Sequence, residues 1–316
     1  MTEAIPVSII IPTRNRAVVL RRALDSLATQ SAQPMEVVLI DASQDSSTYD
    51  LCVASSIAGL ISNIKYAPAK IIGAAAQRNQ GMELATQPVI GFIDDDILLE
   101  PECIARLWRA FNSDARMGGA SAMITNQRYQ SPGFVSRTLF LILAGKRECS
   151  YAGRALGPAV NLLPEDRDDM PEVVPVEWLN LGCTLYRREA LPDPPFPSFF
   201  TGYSMMEDAT LSIRVGRTWK LANARTARIY HDSQSGEHKS DPVAFAKMEL
   251  VNRHYVMAHV LGRRRIRDYA KLALWELFQL ASCALQERGG AGLWKALRGK
   301  ILGISEISAA SRRTIS

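Results

Sequence analysis

The chain has 316 residues, 47% of them hydrophobic and 22% charged, with a formal net charge of +5. This is an ordinary globular composition with apolar material for one large core or two modest ones. The charge is uneven: residues 251–316 carry 12 Lys and Arg against 4 Asp and Glu, and the rest of the chain is net −3. Five cysteines (Cys52, Cys103, Cys149, Cys183 and Cys283) are scattered without a C-x-x-C pair, which excludes the usual zinc and redox motifs and favours free thiols in a reducing compartment. The opening "MTEAIPVSIIIPTRNR" lacks the basic start and long apolar core of a signal peptide, and no run reaches the ~18 apolar residues needed to span a bilayer. The expectation is a cytoplasmic protein.

In chain order, "VSIII" (Val7 to Ile11) is a β-branched run stopped by Pro12, the pattern of a buried strand. Residues 17–30 place Val19, Leu20, Ala23, Leu24 and Leu27 at helical spacing, and Val37 to Ile40 form a second short apolar strand ending in Asp41. Strand, helix and strand within about 35 residues make a βαβ unit with parallel pairing. Ile64 to Tyr66 predicts a third strand, "AAAQRNQGMELAT" a helix despite Gly81, and Val89 to Ile93 a strand that runs into Asp94, Asp95 and Asp96.

Three polar clusters, 12–16, 41–45 and 94–96, each follow the last apolar residue of a strand. In a parallel sheet they gather at the carboxyl edge, where open α/β sheets bind ligands. Asp41 is placed to accept hydrogen bonds from a ribose or base edge, and Arg14, Arg16 and Arg78 to approach phosphates; alternatively the arginines are solvated turn residues and Asp41 a cap. The aspartate run reads either as a solvated acidic turn or as a site for a hard divalent cation, which offsets the repulsion between clustered carboxylates. No G-x-G-x-x-G follows the first strand and no G-x-x-x-x-G-K-[ST] occurs, which argues against a dinucleotide dehydrogenase or a P-loop kinase.

Residues 131–175 are rich in turn formers and charge and read as a flap. Apolar "FVSRTLFLILAG" within them is too short to span a membrane. "MMEDAT" places Glu207 and Asp208 at the start of a helix, where acids also simply oppose the dipole. Beyond residue 240, "PVAFAKMELVNRHYVMAHVLG" and "IRDYAKLALWELFQLASCALQ" repeat apolar residues at three and four, with Arg263–Arg265 between them. Such a module either packs on a catalytic core with a solvated basic face or lies on an anionic membrane surface.

Five stretches, "VSIIIPTRNR", "VVLIDASQD", "AAAQRNQGMELATQPVIGFIDDDILLEP", "VEWLNLGCTLYRREAL" and "GYSMMEDATLSIRV", occur in an order and spacing that resemble the family 2 glycosyltransferases across residues 5–215. The resemblance implies an α/β GT-A fold: a Rossmann-like, mostly parallel central sheet flanked by helices, here with a helical C-terminal extension. It implies a catalytic domain over 1–235, with 1–110 binding the nucleotide sugar and 111–235 the acceptor, followed by a basic extension over 236–316. The activity implied is inverting transfer from a UDP-, GDP- or dTDP-linked sugar, with Mn²⁺ or Mg²⁺, to a hydroxyl of a glycan or lipid-linked acceptor in cell-surface polysaccharide or glycoconjugate synthesis.

Carried over by position, Pro12, Thr13, Arg14 and Asn15 line the nucleotide pocket, Asp41 contacts base or ribose, and Arg78 lies near the diphosphate. Asp96 is the metal ligand, with Asp94 and His231 as further candidates, and Asp94 or Asp95 contacts ribose or sugar. Displacement at the anomeric carbon needs a carboxylate to take the acceptor proton; the resemblance assigns this to Asp208, with Glu207 second. Trp178 and Gly182 border the acceptor side. "IDASQD" has Ala42 where relatives carry a second carboxylate, so the base is not read from it. The absence of Q-x-x-R-W favours a single transfer per binding event.

Against this stand a sugar nucleotidyltransferase, for which "PTRNRA" is a poor phosphate loop, and a dehalogenase-type phosphatase, whose nucleophile strand comes near the N-terminus and has Thr or Val where Leu98 stands. A non-catalytic sugar-nucleotide-binding protein is opposed by retention of the aspartates together with Glu207 and Asp208. Nothing interleaves aromatic and basic residues as a nucleic-acid module does. Peripheral attachment at the inner membrane face is the second expectation for location.

Overall fold

The computed structural model describes residues 3–53, 63–234, 241–285 and 289–313. Among these, the elements run β1 (Glu3–Thr13), α1 (Ala17–Ala28), β2 (Ala32–Asp41), α2 (Ser47–Val53), β3 (Ile64–Pro68), α3 (Ala74–Leu84), β4 (Val89–Ile93), β5 (Ile97–Leu99), α4 (Cys103–Phe111) and β6 (Met117–Ile124). There follow α5 (Phe134–Ala144), β7 (Ala155–Leu156), β8 (Val160–Asn161), β9 (Val173–Pro175), β10 (Cys183–Arg187), α6 (Glu207–Val215), β11 (Lys220–His231), α7 (Pro242–Tyr255), α8 (Ile266–Leu285) and α9 (Gly289–Arg313).

The chain forms two compact units, one of Met1–Gln130, Ala152–Arg154 and Leu163–Ser233, the other of Ser131–Tyr151, Ala155–Leu162 and Gln234–Ser316. The stretch expected to be a flap, 131–175, is therefore shared between them. The boundary expected at 235–236 lies outside the described residues.

In the first unit the strand order is β3-β2-β1-β4-β10-β6-β11-β5, with β9 added on β11. Strands β3, β2, β1 and β4 are parallel neighbours, β6 and β11 run parallel to each other, and β10 is antiparallel between β4 and β6. β1 is buried along Val7 and Ile9 to Ile11, as expected of a strand covered on both faces. α1 buries Leu20, Leu24 and Leu27 in the same core as Ile9 and Ile11, each large side chain contributing about 1.5–3 kcal/mol on full burial. Gly81 has a packing reason: a Cβ there would sit 2.4 Å from Ile10 Cγ2, so only glycine lets α3 lie this close to β1.

The order reverses at β1, whose neighbours β2 and β4 lie on opposite sides. Thr13, Asp41 and the residues after Ile93 consequently emerge together at the carboxyl ends of three adjacent strands, the crevice where such sheets take ligands.

The second unit is helical apart from the β7–β8 hairpin. α7 is capped by Asp241, whose Oδ1 accepts from the amides of Val243 at 2.9 Å and Ala244 at 3.0 Å, with Pro242 at the first helical position. α7, α8 and α9 meet around a buried ionic quartet. Lys300 binds Glu249 at 2.7 Å and Glu276 at 2.5 Å, and Arg253 binds the same two carboxylates at 3.1 and 3.3 Å. Arg253 also donates to the carbonyl of Ala159 at 2.8 Å, holding the hairpin turn. Among the described residues no helix is long and apolar enough to cross a membrane.

Candidate active site

The aspartate run is held by four different elements. Asp94 donates its backbone N–H to the carbonyl of Gly182 at 3.2 Å, because β10 pairs antiparallel with β4 and brings "LGC" beside the strand tip. A Cβ on Gly182 would lie 3.1 Å from Ile97 and 3.2 Å from the Asn180 side chain, so the close approach is tightest for any other residue. The Asp94 carboxylate accepts from Arg78 at 2.5 Å. Asp95 points the other way, accepting from Thr13 Oγ1 at 2.7 Å and from Arg16 at 3.1 Å. Asp96 faces His231 Nε2 at 3.3 Å and Arg16 at 3.5 Å.

These surroundings separate the three acids. Burial pushes Asp95 up to about 6 against the Thr13 hydrogen bond and Arg16. Burial also raises Asp94, with Arg78 only partly offsetting it. Asp96 is lowered: burial is outweighed by the hydrogen bond and charge of His231, with Arg16 adding to them. The carboxylate that stays ionised most readily is thus the one beside the imidazole.

Arg78 connects the run to the second acidic pair. It is buried on α3, with its second guanidinium nitrogen 2.9 Å from Glu207 Oε1, and the ring of Phe196 lies 5.8 Å beneath its carbon. Glu207 and Asp208 open α6 after a turn in which Ser204 and Met206 adopt positive φ (59° and 74°). That turn is strapped to the start of α3: Ala75 N–H donates to Ser204 Oγ at 3.3 Å, Ser204 Oγ donates to Gly202 O, and Gly73 bridges Gly202. Glu207 is pushed up to about 8 by burial, with Arg78 lowering it and Asp208 raising it. Asp208 rises to about 6, chiefly through burial, although its backbone contact with Ala209 and the charge of Arg78 oppose this.

At the tip of β2, Asp41 accepts from Ser43 N–H at 2.9 Å, from Ser43 Oγ and from Tyr66 Oη at 3.1 Å. Asn15, in the left-handed region with φ 53°, ties its loop to the next, donating from its N–H to Ser43 Oγ and accepting from Gln44 N–H. Pro12 pairs with Ile40 in the β1–β2 register, and Arg14 follows Thr13 in the same loop. Gln77 fixes both strand tips by donating to the carbonyls of Thr13 (3.0 Å) and Ile40 (2.8 Å). Trp178 is half-buried, one residue before Leu179, whose N–H donates to Ser212 of α6 at 2.9 Å.

The structure thus gathers Thr13, Arg78, Asp94, Asp95, Asp96, Glu207 and His231 into one contact network, with Asp208 and Gly182 joined to its edge. Sequence reasoning did not single out Gln77, Ser43, Tyr66 or Tyr203. Tyr203 is acted on by the charges of Glu207, Asp94, Asp208 and Asp96, which with burial raise its phenol. Ser43, Gln77 and Tyr203 lie inside the quoted stretches and Tyr66 outside them, but only the strand register and the α6 turn show what they touch.

A divalent cation is tested by the donor set. Asp96 and His231 are a carboxylate and an imidazole aimed at each other at the carboxyl edge, and Gln127 Nε2 lies 3.0 Å from His231 Nδ1, fixing the ring. Among the described residues no group of three His, Cys, Asp or Glu side chains is arranged to hold a metal. This carboxylate and imidazole would suit a hard divalent ion only if further oxygen ligands came from outside the protein.

Residues 8–139 match the model of Glycosyl transferase family 2. The matched stretch, 132 of the 316 residues, is similar to that family. The chain is 35% identical over 108 residues to Validoxylamine A glucosyltransferase of Streptomyces hygroscopicus subsp. jinggangensis (strain 5008), a stretch that is 33% of this chain and 25% of that protein. The chain therefore spans about a quarter of the length of that curated relative.

Among solved structures, it superposes with a TM-score of 0.54 on mannosyltransferase PcManGT from Pyrobaculum calidifontis in complex with GDP-Man and Mn²⁺, at 14% identity over 98% of this chain and 81% of that one. S. aureus TarS 1-349 in complex with UDP-GlcNAc gives a TM-score of 0.54 at 16% identity, over 95% of this chain and 79% of that one. The fold is GT-A, a mixed α/β sheet that is mostly parallel.

Proposed function

We propose that this protein is an inverting, metal-dependent glycosyltransferase that makes one transfer per binding event from a UDP-, GDP- or dTDP-linked sugar to a hydroxyl of a glycan or lipid-linked acceptor. The observation that carries the reading is Arg78, which joins the aspartate run after β4 to the acidic start of α6. The first compact unit would be the catalytic one, with residues 1–110 holding the donor.

Pro12, Thr13, Arg14 and Asn15 form the wall of the nucleotide site and Asp41, oriented by Ser43 and Tyr66, accepts from ribose or base. Asp96 and His231 would hold the cation, which when bound supplies Lewis-acid stabilisation of the leaving diphosphate. Asp94 and Asp95, anchored by Arg78 and by Thr13 with Arg16, face ribose and sugar. Trp178 and Gly182 border the acceptor.

Asp208 takes the proton from the acceptor hydroxyl as that oxygen bonds to the anomeric carbon and the bond to the diphosphate breaks, which inverts the centre. Of the two acids on α6, Asp208 is the better base: its value of about 6 leaves it ionised at neutral pH, whereas Glu207, at about 8, stays largely protonated. Glu207 positions Arg78. The test is Asp208→Asn. The reading expects nucleotide binding to persist while release of nucleoside diphosphate in the presence of acceptor is lost; unchanged turnover would support a binding protein instead.

A further inference from the structure

The second compact unit contains surface that its own packing leaves unexplained. α5 buries Leu139, Phe140 and Leu143 against Tyr151 and Trp275, yet its opposite arc is also apolar: Phe134 is 88% exposed, Val135 68%, Ile142 47% and Leu141 39%. A helix at a protein–water boundary normally turns polar residues outward, and an all-round apolar helix belongs in a core or a lipid phase. α8, whose Lys271 Nζ donates to the carbonyl of Leu143 at the end of α5, repeats the pattern. Its exposed positions are Ile266 (90% exposed), Arg267, Tyr269 (42%), Ala270, Ala273, Leu277 (63%), Ala281, Ala284 and Leu285 (83%), with no charge beyond Arg267 in its first turn.

Exposed basic side chains flank both faces: Arg137, Lys146 and Arg147 on and after α5, Arg265 and Arg267 at the start of α8. The acids in these stretches are Glu148 and Asp268. The whole unit carries 17 Lys and Arg against 8 Asp and Glu, a net charge of +9. The catalytic unit, by the same boundaries, is −4.

We infer that the outer faces of α5 and α8 dock on an anionic lipid bilayer, the apolar arcs entering the headgroup boundary and the flanking Arg and Lys side chains meeting lipid phosphates. Charge selects this occupant over a second copy of the chain, because two faces of net positive charge repel when paired, whereas an anionic leaflet complements them. Neither helix crosses the bilayer; the contact is interfacial. The inference does not depend on the transferase reading.

The experiment is co-sedimentation of the full chain with vesicles of phosphatidylcholine alone and of phosphatidylcholine with phosphatidylglycerol, at low and high salt. The wild type is expected to partition onto the anionic vesicles and to be released by salt, which screens the attraction. Arg137→Gln, Lys146→Gln and Arg147→Gln should each lower the partition coefficient about five-fold. Phe134→Asp with Ile142→Asp should lower it at least about ten-fold, and because both positions are exposed the melting temperature should not change. The inference is overturned if the folded wild type stays in the supernatant, or if it binds neutral vesicles equally well. It is equally overturned if the α5 variants bind like wild type, or if they abolish self-association in sedimentation velocity while no vesicle is bound.

Discussion

Arg78 and Glu207 stand 129 positions apart in sequence, and their side chains meet at 2.9 Å in the interior of the first compact unit. The other branch of the guanidinium holds Asp94. One buried guanidinium therefore holds two buried acidic side chains, and removing it leaves both without their hydrogen-bond donor. Breaking a buried pair from one side typically costs about 3–5 kcal/mol. Arg78→Ala should lower the unfolding free energy measured in urea by that order, and in an Arg78→Ala, Glu207→Gln, Asp94→Asn background much of the loss should return. An Arg78→Ala protein as stable as wild type would show that the pairing carries no structural weight.

Asp208→Asn should lower kcat by ~10²–10⁴ with the Kd for the donor nearly unchanged, the loss associated with removing a general base. In the wild type, kcat/KM should rise with pH through about 6 as Asp208 ionises. Glu207→Gln keeps the hydrogen-bonding shape beside Arg78 and should retain more activity than Asp208→Asn. The reverse ranking would exchange their roles.

Two buried glutamates give stability opposite pH slopes. Burial lifts Glu207 from 4.5 to about 8, so the folded state binds its proton more tightly than the unfolded chain; that contribution is complete below about 4.5 and is lost as pH rises through 8. Glu36 also sits under a burial penalty, but Lys65, Ser8 and Thr86 outweigh it and bring it down to about 2. Its contribution is complete above 4.5 and is lost as pH falls through 2. Thermal melts should show Glu207→Gln flattening the decline on the alkaline side only, and Glu36→Gln flattening the decline on the acid side only.

Gly81→Ala tests the α3–β1 packing. The added methyl would lie 2.4 Å from Ile10 Cγ2, in a core where Ile10 is fully buried, so the overpacking should destabilise by about 1–3 kcal/mol despite the higher helix propensity of alanine. A stabilised variant would mean that the helix moves away from the sheet without cost.

The parallel half of the fold was legible because strand and helix periods are local. "VSIII", "EVVLI" and "VIGFI" are apolar runs with a polar stop, and a βαβ unit fixes where the stops go. Thr13, Asp41 and Asp94 could therefore be placed on one edge from the sequence. What escaped was long-range. The antiparallel insertion of β10 that sets Gly182 against Asp94, the Arg78–Glu207 contact and the clamp of Gln77 on two strand tips have no local pattern. The same holds for residues 131–151, which read as part of a flap: their helix has apolar residues on both its buried and its exposed side, and periodicity alone does not tell which partner it meets.

The central claim is that the aspartate run after β4 receives a nucleoside diphosphate with a divalent cation. The most direct measurement is the thermal midpoint of the purified chain against UDP, GDP and dTDP, each with and without Mn²⁺. A ligand that binds only the native state stabilises it by about 2.7 kcal/mol at about 100 times its Kd. The account predicts a Mn²⁺-dependent rise for one of the nucleotides that disappears in Asp96→Ala, and the responding nucleotide names the donor class. A folded protein whose midpoint moves with none of the three, or whose shift survives Asp96→Ala undiminished, would contradict it.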